Sequence, residues 1–348
     1  MVSLNAELQK YFQIFCGGDY PDFIDKYIQT PALQRLSRVS QFCGCDYTKI
    51  FECKFWYSRL DHSIACALMA WNFTKDKIQT LAALMHDLGT PCFSHTIDYL
   101  MGDLVNQNSS EKSIYEMIMN SEELTLLLDA DNIDVFEVCD LSKYPILENE
   151  RPRLCIDRLD GVLHTGLVWC KFWDLEDIKK IYQHITIFEN EDGIEEIGFD
   201  SMDVAQYFYD GAHKYAMVLQ KNEDKYVMQF ISDILKILID RNLLCIDDLY
   251  VMSEEEIINI IINTDDIGEF WKLFSEAKGI LRSDVQPTNC YFVSVDCKKR
   301  YVVPLVLDKK VVRLNIASSK VEKLLEDYLT YQDTKYGYIE GIFLMNGH

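Results

Sequence analysis

The feature that most constrains this chain is an amphipathic run with an abrupt end. Ile78, Leu81, Ala82, Met85 and Leu88 recur at helical spacing, and Gly89 and Pro91 follow at once. Apolar residues on a 3.6-residue period form one buried helix face, and a Gly-then-Pro sequence stops the helix. His86 and Asp87 are therefore predicted in the last turn of that helix. The same period recurs along much of the chain. Thr30-Pro31 begins a run with Leu33, Leu36 and Val39, and residues 60 to 73 form a helix carrying His62, with Thr74 as N-cap of the next. Residues 113 to 128, 152 to 171 (carrying Asp157), 203 to 220 and 226 to 240 are further helices, and Ser253 with Glu256 makes a capping box before another.

These elements predict a mainly α fold, a helical bundle over residues 1 to 284 with a short hairpin at 184 to 199 turning at Asp192-Gly193. Near residue 285 the composition changes. Residues 290 to 316 are rich in Val, Tyr, Phe and Leu around a charged stretch, Lys298-Lys299-Arg300, that reads as a turn between strands. With a helix near 319 to 331 and a strand near 338 to 344, residues 285 to 348 form a small α+β region. It carries no motif and is a candidate homo-oligomer contact.

Charge limits the partners. The 348 residues carry a formal net charge of -22, which repels nucleic-acid backbones and anionic membranes. Duplex nucleic acid and membranes are excluded as partners, and an anionic substrate needs a local cluster of Arg or Lys. No apolar run reaches the length of a membrane span. The N-terminal stretch reads as a first helix rather than a signal peptide. Twelve cysteines without a CxxC pair predict reduced thiols and a cytoplasmic location.

Three strings carry the chemistry: RLDHS at 59 to 63, HDLGTPCFSH at 86 to 95 and CIDRLD at 155 to 160. Histidine and carboxylate together suit a borderline or hard divalent ion. A lone His-Asp pair at a helix end also fits simple favourable interaction with the helix dipole. The ordered set resembles the HD superfamily of metal-dependent phosphohydrolases. More narrowly it resembles the branch of SAM-and-HD-domain dNTP triphosphohydrolases and bacterial dGTPases, whose second element reads HD-x-G-H-x-P-F-S-H. TPALQRLSRVSQFCG at 30 to 44 and residues 203 to 262 extend the likeness to roughly residues 20 to 265.

That resemblance implies an HD-domain bundle in which His62, His86, Asp87 and Asp157 hold a divalent ion: Mn, Fe, Co, Zn or Mg. It implies attack of a metal-activated water on phosphorus, with Arg59 and Arg158 holding phosphate and Gln41 a sugar. His95 and Asp98 fall at the rim of the family's site, His95 either as a general acid or as a partner orienting a ligand. The pattern also departs from the branch. Thr90, carried here as a candidate substrate contact, and Ser110 stand where it has histidines. Gly161 replaces an aromatic and Thr165 an aspartate, while Tyr209 and Met217 replace an arginine and a tyrosine. Gln29 stands where the animal enzymes' allosteric nucleotide site has an aspartate. The cage is intact and the dNTP-specific lining is not. The expectation is a phosphohydrolase acting on a small phosphate ester, foremost a nucleotide. The alternatives are a degenerate regulatory module that binds nucleotide or metal, and a dNTP triphosphohydrolase.

Overall fold

Ser58 starts the helix around which the molecule is organised. Its side chain accepts from the backbone N–H of Asp61, and the Asp61 carboxylate accepts in return from the N–H of Ser58, so the helix Arg59–Thr74 begins with a full capping box. It ends at Lys75 in a left-handed conformation, and the next helix, Lys77–Met85, is capped by Asp76 rather than Thr74. Asp76 is the better placed, because its carboxylate accepts from both Ile78 N (2.7 Å) and Gln79 N (3.1 Å). The two helices pack closely, burying Leu68, Met69, Leu81 and Leu84 completely or nearly so. Ala6–Cys16 and Ile156–His164 both pack against the first of them, and Tyr11 of the one donates to Asp160 of the other.

The computed structural model describes residues 5–100, 102 and 113–343, and its architecture is mainly α with a small C-terminal α+β region. The stretch 113 to 128 is two helices, Ile114–Met119 and Glu122–Ala130, because Ser121 turns out of the first and its hydroxyl caps the second. The Asp157 helix is shorter than 152 to 171: it starts at Ile156 and passes at Thr165 into a π-helical turn that ends at Trp169. Met202–Leu219 and Asn222–Asp240 are the two longest described helices, and the Ser253–Glu256 capping box is present. None of the described helices is long and apolar enough to cross a membrane.

Among the described residues, seven strands make two small sheets. β1 (Ile185–Glu189) and β2 (Glu195–Phe199) are the antiparallel hairpin, β5 (Leu305–Asp308) joins β2 in parallel, and β6 (Lys310–Arg313) closes the edge. β3 (Leu281–Ser283), β7 (Tyr336–Tyr338) and β4 (Phe292–Val293) form the second sheet in that order. Lys298–Arg300 is therefore not a hairpin turn. It lies between strands of different sheets, in an irregular crossing pinned to the helix Ser319–Thr330. The Lys299 ammonium donates to the Tyr328 and Tyr331 carbonyls at that helix's C-terminal end (3.1 and 2.9 Å), where the helix dipole favours a cation. The Tyr328 hydroxyl accepts from Arg300 N (2.8 Å) and donates to Arg300 O (2.9 Å). Val303 N donates to Pro152 O (2.7 Å), which ties this crossing to the segment leading into the Asp157 helix.

Candidate metal centre and arginine-lined cavity

The loop after the Lys77–Met85 helix is held from three sides. Arg35 of the TPALQRL string donates through Nη2 to the carbonyls of Leu88 (2.8 Å) and Thr90 (2.9 Å). Cys92 N donates to Leu249 O, and Phe93 N donates to the buried Glu254 carboxylate (2.7 Å). Phe93 and Ser94 adopt φ of 60° and 50°, a conformation costly for residues with a Cβ that persists only where surroundings enforce it. The outcome is a Ser94 hydroxyl that donates to Ser40 O and accepts from Arg59 Nε (3.0 Å).

Four side chains from three parts of the chain converge beside this loop. His62 Nε2 lies 3.3 Å from His86 Nε2, 2.9 Å from Asp157 Oδ1 and 3.9 Å from Asp87 Oδ2. His86 Nε2 is 3.8 Å from Asp87 Oδ2 and 3.7 Å from Asp157 Oδ1. Both histidines are buried, and Asp157 is 31% exposed on the open side. The opposite ring nitrogens decide the tautomers. His86 Nδ1 sits 2.7 Å from the Ala83 carbonyl, which only accepts, so this nitrogen carries the proton. His62 Nδ1 sits 2.6 Å from the Asp160 carboxylate and is a donor by the same reasoning. With those protons on Nδ1, the two Nε2 atoms are left to face each other and the two carboxylates. Two imidazole nitrogens and two carboxylates suit a divalent ion, and metal–ligand bonds of about 2.0–2.2 Å give ligand separations of this size.

The proton balance carries the same message. Burial opposes charge on His62, but Cys66, Asp157 and Asp160 outweigh it and hold the ring well above the ordinary histidine range. Burial works against the Asp87 carboxylate too, yet Arg59 and the two histidines keep it below its usual range. Without a metal the cluster draws protons in its place. Cys66 is also near, but its Sγ is 3.8 Å from both nitrogens of His62. That equal distance places it beside the ring rather than in line with the Nε2 lone pair, and burial pushes its thiol up to about 12.

Behind the cluster, Asp160 is wholly buried and takes four contacts. It accepts from Tyr11 (2.6 Å), Tyr57 (3.0 Å), His62 (2.6 Å) and His164 (3.1 Å), and the His164 ring stacks on Tyr57 at 4.4 Å. Asp160 was legible in principle: it follows Asp157 by three residues and so shares its helix face. His164 touches both this network and the cavity.

In front of the cluster opens a cavity of about 180 Å³. Arg59, Gln41, His95, Asp157 and Arg158 line it, together with Gly161 and Thr165. Arg59 is 5% exposed, and its Nη1 donates to Asp87 (3.0 Å). Arg158 reaches Glu148 (3.2 Å), Arg153 O and Asn149, which latches the segment before its helix. Gln41 Oε1 is buried with no hydrogen-bond partner among the described residues. His95 Nδ1 points to Asp98 Oδ2 (3.2 Å); burial, then Arg300, push this ring down to about 4, so it is neutral near pH 7. Thr90 and Asp98 do not line the cavity: Thr90 donates to Asp87 Oδ1 (3.1 Å) and Asp98 supports His95 from behind. Tyr209 and Met217 do not line it either, whereas Ala212, Tyr215 and Leu219 of the same helix do. Ser110 and His348 lie outside the described residues. His184 pairs with Asp200 at the surface, and His213 stacks on Tyr209.

Two arginines of this cavity, Arg151 and Arg300, have no counterpart in the strings that identify the cluster. Arg300 sits inside Lys298-Lys299-Arg300, which as sequence is an ordinary charged turn. Only the crossing pinned by Tyr328 brings it, with Tyr301 and Val302, to the cavity wall.

No protein-family model matches the chain. It is similar to the uncharacterized protein YdhJ of Bacillus subtilis, 24% identical over 329 residues that cover 90% of this chain and 93% of that protein. The chain is also similar to a metal-dependent phosphohydrolase. That protein, cns2 of Cordyceps militaris, is 24% identical over 165 residues, 46% of this chain and 45% of its own length. Among solved structures, a hypothetical protein from Aquifex aeolicus superposes with a TM-score of 0.58 at 18% identity, over 92% of this chain and 93% of that one, a likeness of fold.

Proposed function

We propose that the chain is a metal-dependent phosphohydrolase of the HD superfamily, acting on a small phosphate ester with nucleotides first among the candidates. The observation that carries this reading is the pair of facing imidazole Nε2 atoms, 3.3 Å apart and flanked by Asp87 and Asp157, with Asp157 and Arg59 opening onto an arginine-lined cavity. The similarity to a metal-dependent phosphohydrolase supports it.

When bound, a divalent ion supplies Lewis-acid charge neutralisation and activation of water; His62, His86, Asp87 and Asp157 would hold it. The protein's own groups divide the rest of the work. Arg59, fixed by Asp87 and Ser94, offers a preorganised donor to phosphate oxygens, and a guanidinium suits that geometry. His95, neutral with its Nδ1–H turned to Asp98, keeps Nε2 as an acceptor. In the free protein it is thus suited to take a proton, and it serves as an acid only once a phosphate dianion offsets Arg300 and Arg59. Phe42, Trp169 and Tyr215 supply an apolar wall for a ring or chain attached to the phosphate.

The test is phosphate release from a broad panel of nucleotides and phosphomonoesters by purified protein supplied in turn with Mn, Fe, Co, Zn and Mg. EDTA should abolish it. Absence of turnover on every substrate with every metal defeats the reading; tight nucleotide binding without turnover would point instead to a regulatory module.

Gly161 sharpens the substrate question. A Cβ built there meets nothing within 4 Å, and the residue lines the cavity within a helix. Gly161→Ala is expected to stabilise the protein by about 0.5–1 kcal/mol and to spare activity. Gly161→Tyr should fill the space and raise KM for nucleotides while sparing the smallest phosphate esters. Equal KM for a nucleotide in the wild type and the Tyr variant would show that the substrate does not use this wall.

A further inference from the structure

Resting on the phosphohydrolase reading, we infer that the cavity holds a second anion subsite, formed by Arg151 and Arg300, so that the substrate carries another phosphate or carboxylate besides the phosphate directed at the metal cluster.

Charge balance is the first argument. In a chain of net charge -22, four guanidiniums line one small cavity: Arg59, Arg151, Arg158 and Arg300. Arg59 is matched to Asp87 and Arg158 to Glu148. Arg151 is different. Its guanidinium donates through Nη1 to the Lys299 carbonyl (3.1 Å) and meets no carboxylate at ion-pair distance among the described residues. It is half-buried, and burial, then Arg300 and Arg158, push it down to about 10. A desolvated cation crowded by like charges is costly unless an anion completes it.

Position is the second argument. Both arginines are anchored by contacts with the C-terminal region rather than by the helix that carries Arg59 and His62. Arg151 is tied to the crossing through Lys299 O, and Arg300 is gripped at both its backbone groups by Tyr328. Val303 N on Pro152 O joins the two segments directly. These anchors order a stretch without regular secondary structure, and the side chains it presents to the cavity include one guanidinium. His95, which also lines the cavity, feels both Arg300 and Arg59. Arg151 and Arg300 thus reach the cavity from segments other than the one that carries Arg59 and His62, and a phosphomonoester with no other charge, once held by Arg59, brings no second anion to Arg151.

The experiment compares alkyl phosphates of graded length that end in a methyl, a carboxylate or a phosphate, and adenosine 5′-monophosphate with adenosine 3′,5′-bisphosphate. kcat/KM is measured on the metal-loaded enzyme. A second anion is expected to raise kcat/KM by about tenfold or more, the range for one charge-assisted hydrogen bond or two. The carboxylate and phosphate series show which anion the subsite takes. Arg151→Gln and Arg300→Gln should each collapse that preference ratio, and Arg151→Lys should retain part of it. A wild-type enzyme without preference for the doubly charged compounds, or Gln variants that lose both classes in equal proportion, would overturn the inference, the latter by assigning these arginines to the phosphate at the metal. Calorimetry with the bisphosphates on EDTA-treated protein separates this outcome from failure of the parent reading. Binding that depends on Arg151 in a protein without turnover would sustain the subsite and defeat the hydrolase.

Discussion

Asp87→Ala is expected to strip the protein of its divalent ion and to abolish phosphate release, a loss well beyond the ~10–100-fold typical of partners that only support a ligand. Asp87 is where three functions meet. Its Oδ2 faces both His62 and His86, it accepts from Arg59 Nη1, and its Oδ1 accepts from Thr90. Deleting it removes an anionic ligand and leaves Arg59 buried without that partner, which costs about 3–5 kcal/mol when a buried pair is broken. Asp87→Asn is therefore the cleaner variant. It keeps the shape and one acceptor for Arg59 or Thr90 but halves the acceptor capacity and removes the charge. Metal content by elemental analysis, beside phosphate release and an unfolding midpoint, reads the three effects apart. If Asp87→Asn retains stoichiometric metal and wild-type turnover, the centre is not where His62, His86 and Asp157 converge.

How far such a site can be read from sequence depends on what holds each residue. His62 and Asp157 sit on helices that the period predicts, though the Asp157 helix is shorter than expected; His86 and Asp87, expected in the last helical turn, follow directly after the helix, which ends at Met85. The capping box at Ser253 and the hairpin at Asp192-Gly193 were equally visible, since local chemistry sets both. Tertiary contacts set the features that were not. Arg35 reads as a charge on an amphipathic helix, yet it is buried against the Leu88 and Thr90 carbonyls and shapes the loop after His86. Thr90 stands in the pattern as a candidate substrate contact, and in the fold it turns its hydroxyl to Asp87 instead of the cavity. Arg300 belongs to a charged stretch that resembles a turn, because nothing local announces the Tyr328 hydroxyl that holds it 28 residues away. The break at Ser121 was missed for the opposite reason: the apolar period continues across it, and a local cap overrides the period.

The second large effect is expected at Asp160. This carboxylate has no route to the cavity, since its two oxygens are taken up by Tyr11, Tyr57, His62 and His164. Asp160→Ala leaves four polar groups facing an apolar gap and should destabilise the protein by about 3–5 kcal/mol. Burial disfavours its charge, but hydrogen bonds from His164 and His62 prevail and hold it below the usual carboxylate range. A folded-state pKa depressed in this way contributes stability that is complete above the unfolded value near ~4 and fades as pH falls through the folded one. In EDTA, the gap in unfolding midpoint between wild type and Asp160→Ala should therefore be full at neutral pH and shrink in strong acid; a gap independent of pH would mean that packing, not charge, is what Asp160 contributes. Asp160→Asn tests the link to the metal. An amide nitrogen turned to His62 Nδ1 favours the tautomer with its proton on Nε2, which removes the lone pair that faces His86. Metal affinity should then fall by about 10–100-fold although none of the four ligands has been touched. Affinity within about twofold of wild type would show that the His62 tautomer is fixed by something other than this carboxylate.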